Sequence, residues 1–278
     1  MAQDGFAAYD CTISQPVLVH SVVLCFLADS PMHAEVTNTP NPGQSNHPCR
    51  MCTLSVERKS MVKSKTYIQK YLQVDEFGLH SQSSKGLGRF DGVLDTPVEI
   101  LHVVLLGVVK YLARDDIGKL KEKEKAILIG RLDSLNCLSM NINSIKAKYL
   151  IKHIKSLVGR HFKVILQSAP FVLLDLLSSK RWEIWLALCK MCVLIFQTRI
   201  SKMDSYINEL TLHINQFICL IIKSNAHWVK KAKLHMLLHL PQSIRRFGPA
   251  SLFSTEKFES YNGVLQKASI HSNRLSPS

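Results

Sequence analysis

Hydrophobic and polar positions follow two regimes along the chain. From Val17 to Ala28 the run VLVHSVVLCFLA is β-branched and almost continuously apolar. It predicts a buried strand, or two short ones meeting near His20 and Ser21. Pro31 then permits a helix start over Met32 to Val36, whereas TNTPNPGQSNHP (37–48) is turn chemistry throughout and predicts a loop. A basic patch from Arg58 to Lys65 leads into a short helix, TYIQKYLQV, and a Ser/Gly-rich stretch over 78–92 reads as a linker.

Past the linker the apolar spacing is helical. Thr96-Pro97-Val98-Glu99 predicts a helix start, with Thr96 as the cap, Pro97 in the first position and Glu99 completing a capping box. That helix should run to about Ala113, with further helices near 118–135, 143–158, 161–178, 181–199, 203–223, 231–246 and 254–268. The segment RWEIWLALCKMCVLIFQTR (181–199) is apolar nearly all round and is expected at the bundle centre. The fold class is therefore α+β, mainly α-helical. It divides into 1–77 with the strands and a cysteine loop, the linker 78–92, a helical body over 93–250, and a C-terminal helix within 251–278.

Charge adds a partner class to this picture. Thirty-five basic residues against 21 acidic ones give a net charge of +14, which favours an anionic partner, nucleic acid before membrane. No acid occurs between Ser134 and Leu174, where Lys148, Lys152 and Lys155 share one helical face at i, i+4 and i+7. A second acid-free stretch, Leu210 to Thr255, carries Lys230, Lys231, Arg245 and Arg246. Such stripes suit phosphate contact, and they are equally what a solvated helix face looks like. No apolar run reaches membrane-spanning length before a polar residue interrupts it. The opening MAQDGFAAYD has neither the basic start nor the apolar run of a secretory signal. An intracellular, reducing setting is expected, where a close cysteine pair binds metal rather than forming a disulfide.

Candidate chemistry is sparse and specific. Cys49 and Cys52 have the spacing with which two thiolates chelate one tetrahedral Zn²⁺. The remaining ligands could come from His80, His102, or the pair His235 and His239, which stand at i and i+4; for that pair helix packing is the ordinary role, and no glutamate follows the first histidine as zinc proteases require. His47 is too close to Cys49 to complete the same site, and Cys189 with Cys192 reads as core. Asp29 ends the apolar run, where a carboxylate could hold Mg²⁺ or simply cap the next helix. Glu256 and Glu259 share a face near a helix start and are either metal carboxylates or surface glutamates.

Three ordered blocks carry a resemblance. FLADSPMHAEVTNTPNPGQSNHPCRMC, DTPVEILHVVLLGVVKYL and KLHMLLHLPQSIRRFGPASLFSTEKFESYNGVLQKASIHSNR resemble the transposases of CACTA-type (En/Spm) DNA transposons, in the fungal branch related to the KDZ group. The resemblance covers roughly 10 to 275. It implies part of an RNase H-like (DDE transposase) core with a large helical insertion, DNA and a nuclear location, and partnership with itself or a full-length transposase. Asp29 falls on the family's second catalytic aspartate. Glu259, in a Phe-Glu-x-Tyr pattern with Arg274 downstream, falls on the glutamate, and Glu256 is the fallback. Cys49 and Cys52 fall on a metal-binding pair, and Glu99 with His102 on a further pair inside the insertion. Only Asp4 and Asp10 precede Asp29, too close to leave room for the family's first strand, hairpin and helix. The expectation is a catalytically incomplete, transposase-derived protein that retains a DNA-binding surface, Zn²⁺ as structural cofactor, and Mg²⁺ or Mn²⁺ only if the catalytic site were completed. The competing expectation is a zinc-stabilised helical protein-interaction module without DNA affinity.

Overall fold

The computed structural model describes residues 5–19, 24–37, 46–56, 64–73, 92–142 and 144–273. The protein is mainly helical with one small sheet, as the periodicity implies. Strands β1 (Phe6–Asp10) and β2 (Gln15–Val19) form an antiparallel hairpin in which Phe6 opposes Val19 and Asp10 opposes Gln15. The Asp10 carboxylate accepts the Thr12 amide at 2.8 Å and closes the turn, and Ser14 takes φ 54°.

This hairpin corrects the expected buried strand. Among the described residues of the apolar run, Val17–Val19 are in β structure, and the strands face solvent: Leu18 is 58% exposed, and Phe6 across the hairpin 58%. A β-branched run pairs with whatever complementary segment lies nearest, here FAAYD across a short turn, and two strands alone enclose no core. Residues 24–29 run on outside any strand; the Phe26 amide donates to the Asp95 carbonyl at 2.8 Å and the Ala28 amide to His33 Nε2 at 2.9 Å.

Helices α1 (Ser30–Thr37) and α2 (Lys65–Leu72) follow. Next comes α3, which opens in π-type winding (Leu101–Val109) and continues as regular helix (Lys110–Asp116). The body is completed by α4 (Glu122–Asp133), α5 (Ala147–Lys152), α6 (Gly159–Val172), α7 (Ser179–Ile195), α8 (Met203–Ser224), α9 (Ala232–Met236), α10 (Leu240–Phe247) and α11 (Glu256–Asn273). Among the described residues no helix is long and apolar enough to cross a membrane.

The element expected at the centre, α7, is not the most enclosed one, since its Val193 is 69% exposed. That place belongs to α3, where Leu101, Val103, Val104, Leu105, Val108, Val109, Leu112 and Ala113 are all buried. Two glycines let its neighbours close in. A Cβ on Gly159, at the start of α6, would lie 2.2 Å from Leu101 Cδ1, and one on Gly107 would lie 2.9 Å from Lys233 Cδ. The expected cap of α3 is also displaced by three residues. Thr96 Oγ1 donates to the Gly92 carbonyl at 2.9 Å, while the Glu99 carboxylate accepts the amides of Leu101 and His102, each at 2.8 Å. Pro97 disfavours helical backbone at Thr96, so the first free amides fall later, within reach of Glu99.

One core joins the loop 49–56 and α2 to the helical body: Cys49, Cys52, Leu54, Tyr67 and Tyr71 pack with residues of α3, α8, α9 and α10. The linker expected over 78–92 lies, apart from Gly92, outside the described residues, as do His80 and Arg274.

Candidate metal centre

Pro48 delivers the chain into a tight loop in which the Met51 amide donates to Cys49 Sγ at 3.3 Å, and the Val56 amide closes on the Asn46 carbonyl at 2.9 Å. The segment expected as one helix over 231–246 breaks into α9, a 3₁₀ turn (Leu237–His239) and α10, because Pro241 lacks the amide that would continue the ladder. His235 and His239 still share a side across that break, their rings 5.1 Å apart.

The two segments meet in the core. Cys49 Sγ lies 3.4 Å from His239 Nε2, Cys52 Sγ lies 3.2 Å from His235 Nε2, and the two Nε2 atoms are 3.3 Å apart. All four donor atoms fall within 4.8 Å of one another, and all four residues are buried. A tetrahedral Zn²⁺ with bonds of about 2.3 Å to sulfur and 2.0–2.1 Å to nitrogen requires donor separations of roughly 3.3–3.8 Å. The residues fit that ion.

The surroundings fit it too. His235 Nδ1 lies 2.8 Å from the Tyr71 carbonyl; donation to that oxygen leaves Nε2 bare for a metal. Tyr71 is held in turn by its hydroxyl, which donates to the Lys231 carbonyl at 2.9 Å. Burial holds His239 below the ordinary imidazole value, so the ring is neutral, as ligation demands. Its Nδ1 is buried without a partner among the described residues, so of the two rings His235 is the one whose tautomer a described hydrogen bond fixes. The hydrogen bond shared with Cys52 lowers Cys49 against the effect of burial, helped by the Met51 and Cys52 amides and by Arg50; the same shared bond and burial raise Cys52. A bound Zn²⁺ would deprotonate both thiols.

Arg50 is the unforeseen member. It is 3% exposed, donates to the Thr96 and Pro97 carbonyls at 3.2 and 3.3 Å, and burial brings it down to about 10. Its cation lies beside Cys49 and ties the loop to the segment leading into α3.

The other candidate residues are placed elsewhere. Glu99 and His102 pair with each other, Oε2 to Nδ1 at 2.8 Å, and Glu99 also accepts the Thr255 amide at 2.8 Å. They are therefore not the partners of Cys49 and Cys52; a carboxylate already accepting amides from Leu101, His102 and Thr255 is a cap that also anchors the start of α11. His47 is exposed and stands outside the group. Cys189 donates to the Leu166 carbonyl at 3.5 Å and Cys192 is buried; burial raises both thiols, Cys189 to about 12.

Asp29 is exposed, and its Oδ1 accepts the Met32 amide at 3.0 Å, so it caps α1. Glu259 lies in α11, its side chain outside the description, while Glu256 Oε2 sits 3.4 Å from Lys163 Nζ. Among the described residues the group able to hold a metal is the two-cysteine, two-histidine one, and no set of carboxylates gathers for Mg²⁺ or Mn²⁺.

The basic candidates divide by what their charge already meets. Lys148, Lys152, Lys155 and Lys230 are exposed. Lys231 lies over the Tyr111 ring at 4.8 Å, Arg245 pairs with Asp204 at 2.7 Å, and Arg246 pairs with the buried Asp95. Comparison with protein families, curated proteins and solved structures gives no match to this chain.

Proposed function

We propose that this chain is a metal-stapled, transposase-derived DNA-binding protein of the CACTA type, holding DNA through its phosphates rather than performing strand transfer. The three motif blocks support the family. The observation that carries DNA binding is the exposed stripe Lys148, Lys152 and Lys155 along α5 and the turn after it, in a stretch without an acid from Ser134 to Leu174. Each such cation can displace a condensed counterion. In this reading the zinc is structural: it fixes the loop 49–52 against α9 and α10. Asp29 and Glu259 keep their family positions, within a partial RNase H-like core whose carboxylate set is incomplete. A nuclear location and association with its own kind or a full-length transposase follow from the same likeness.

The test is fluorescence anisotropy on duplex DNA between about 50 and 200 mM salt. Affinity should fall steeply, and changing Lys148, Lys152 and Lys155 to Gln together should reduce the log–log slope by about 2.7, at roughly 0.9 per phosphate. Salt-independent binding, or a slope unmoved by the triple change, would overturn the proposal.

One observation favours a second reading, the zinc-stabilised protein-interaction module. Phe258, Tyr261, Val264 and Leu265 of α11 are 64%, 61%, 58% and 50% exposed, an apolar face that a protein partner would cover. A protein that binds no DNA yet retains its zinc would select that reading.

A further inference from the structure

A cleft of about 720 Å³ opens between α5, the loop before it, the start of α6 and the start of α11. Lys146, Arg160 and Lys163 line it with a single carboxylate, Glu256. Lys163 is engaged, 3.4 Å from Glu256 Oε2 and 4.9 Å from the centre of the Phe196 ring. Lys146 and Arg160 are exposed and have no anionic partner among the described residues.

The cleft also offers an aromatic face. Tyr149 is 47% exposed, with its ring 4.7 Å from that of His153 and 5.7 Å from that of His161. Behind the lining, His161 Nδ1 and Glu256 Oε1 are buried and have no hydrogen-bond partner among the described residues. Burial and the neighbouring Arg160 lower His161, so that at neutral pH its ring adds no charge to the cleft.

Free cations and an aromatic platform in a cavity of this size are the requirements of a nucleotide: charge for its phosphates and a ring for its base. A base inside a duplex must first leave its stack and lose its partner to enter such a cleft, and a base in a single strand need not. We propose that the cleft receives an unpaired nucleotide of single-stranded DNA, its base stacked on Tyr149 and its flanking phosphates at Lys146 and Arg160. The strand leaves over Lys148 and Lys152, on the neighbouring face of α5. This rests on the DNA-binding reading above and adds to it a site and a preference for unpaired strands.

The experiment is anisotropy on a labelled oligothymidylate and on a duplex of equal length, using the full chain with zinc bound. Tyr149→Ala should weaken single-strand binding roughly ten- to a hundredfold and leave duplex binding unchanged. Tyr149→Phe should restore it, because the ring and not the hydroxyl does the stacking. Arg160→Gln should lower the single-strand salt slope by about 0.7, and Lys230→Gln, outside the cleft, should leave the effect of Tyr149→Ala intact. Tyr149 is half exposed, so an unchanged melting temperature confirms that the variants fold. Single-strand binding unaffected by Tyr149→Ala while duplex binding persists would overturn the cleft and spare the DNA-binding reading, as would equal losses on both DNAs. Binding to neither DNA by the unaltered protein would remove both.

Discussion

If the two-cysteine, two-histidine group holds Zn²⁺ as its geometry allows, removing the metal should cost this fold more than any surface change could. The perturbation is chelation, or Cys52→Ser, which deletes one thiolate. Cys52 and His235 are separated by 183 positions, so a metal bound between them would close a very long loop. Chain-entropy arithmetic for a cross-link of that span gives about 5 kcal/mol, and the ligand bonds themselves add to it. Because roughly 2–4 °C of melting temperature accompanies each kcal/mol in domains of this size, the midpoint should fall by at least about 10 °C.

The assay is thermal unfolding followed by near-ultraviolet circular dichroism on metal-replete, stripped and Cys52→Ser protein. The last two should melt together, and added Zn²⁺ should restore only the stripped one. Cys189→Ser serves as the control, since that cysteine shares the CxxC spacing but lies outside the metal group, and its metal response should match the unaltered protein. A midpoint that chelation moves by less than about 2 °C would refute the reasoning.

Three further outcomes follow from buried polar groups and close packing. His33 is fully buried and accepts the Ala28 amide at 2.9 Å on Nε2; burial, then the charge of Arg50, bring it down to about 3. A histidine lowered in this way contributes stability that is present above its unfolded value near 6.5 and is lost as pH falls through that value towards 3. Urea midpoints at pH 7.5 and 5 should therefore show about 2 kcal/mol less acid loss in His33→Gln than in the unaltered protein, and equal losses would contradict this. Burial opposes ionisation of Glu99, but hydrogen bonds from His102, Thr255 and Leu101 outweigh it and lower the group. Its contribution is present above the unfolded value near 4.3 and disappears as pH falls through the lower folded one, so Glu99→Gln should cost about 1–3 kcal/mol at pH 7 by urea titration and flatten the acid limb. Gly159→Val should cost about 1–3 kcal/mol in the same titration, because its Cβ has no room beside Leu101.

The helices were legible because each needs only its own period, and α6, α7, α8 and α11 fall close to where the apolar spacing puts them. The break in the 231–246 segment is written in Pro241, whose missing amide cannot continue the helical ladder. The strand was misread because β-branched composition reports extended backbone and not what the extended backbone pairs with. The metal centre was half legible. CxxC announces two ligands by local spacing, and HMLLHLP offers one of several possible sources of the others, but nothing local says that segments 183 positions apart converge, so spacing alone leaves His235 and His239 to helix packing. Glu99 and His102 misled for the converse reason: their spacing brings them together, but as a cap and its partner. Arg50 was invisible, since a charged residue inside a proline-flanked loop reads as surface until both carbonyls it serves are seen.

X-ray absorption at the zinc edge of the purified protein tests the central claim most directly. The account predicts one zinc per chain with two sulfur ligands at about 2.3 Å and two nitrogen ligands at about 2.0–2.1 Å, changing to one sulfur or losing the metal in Cys52→Ser. Protein purified without metal that takes up none on incubation with Zn²⁺, or bound zinc whose shell lacks either the sulfurs or the imidazole nitrogens, would contradict it.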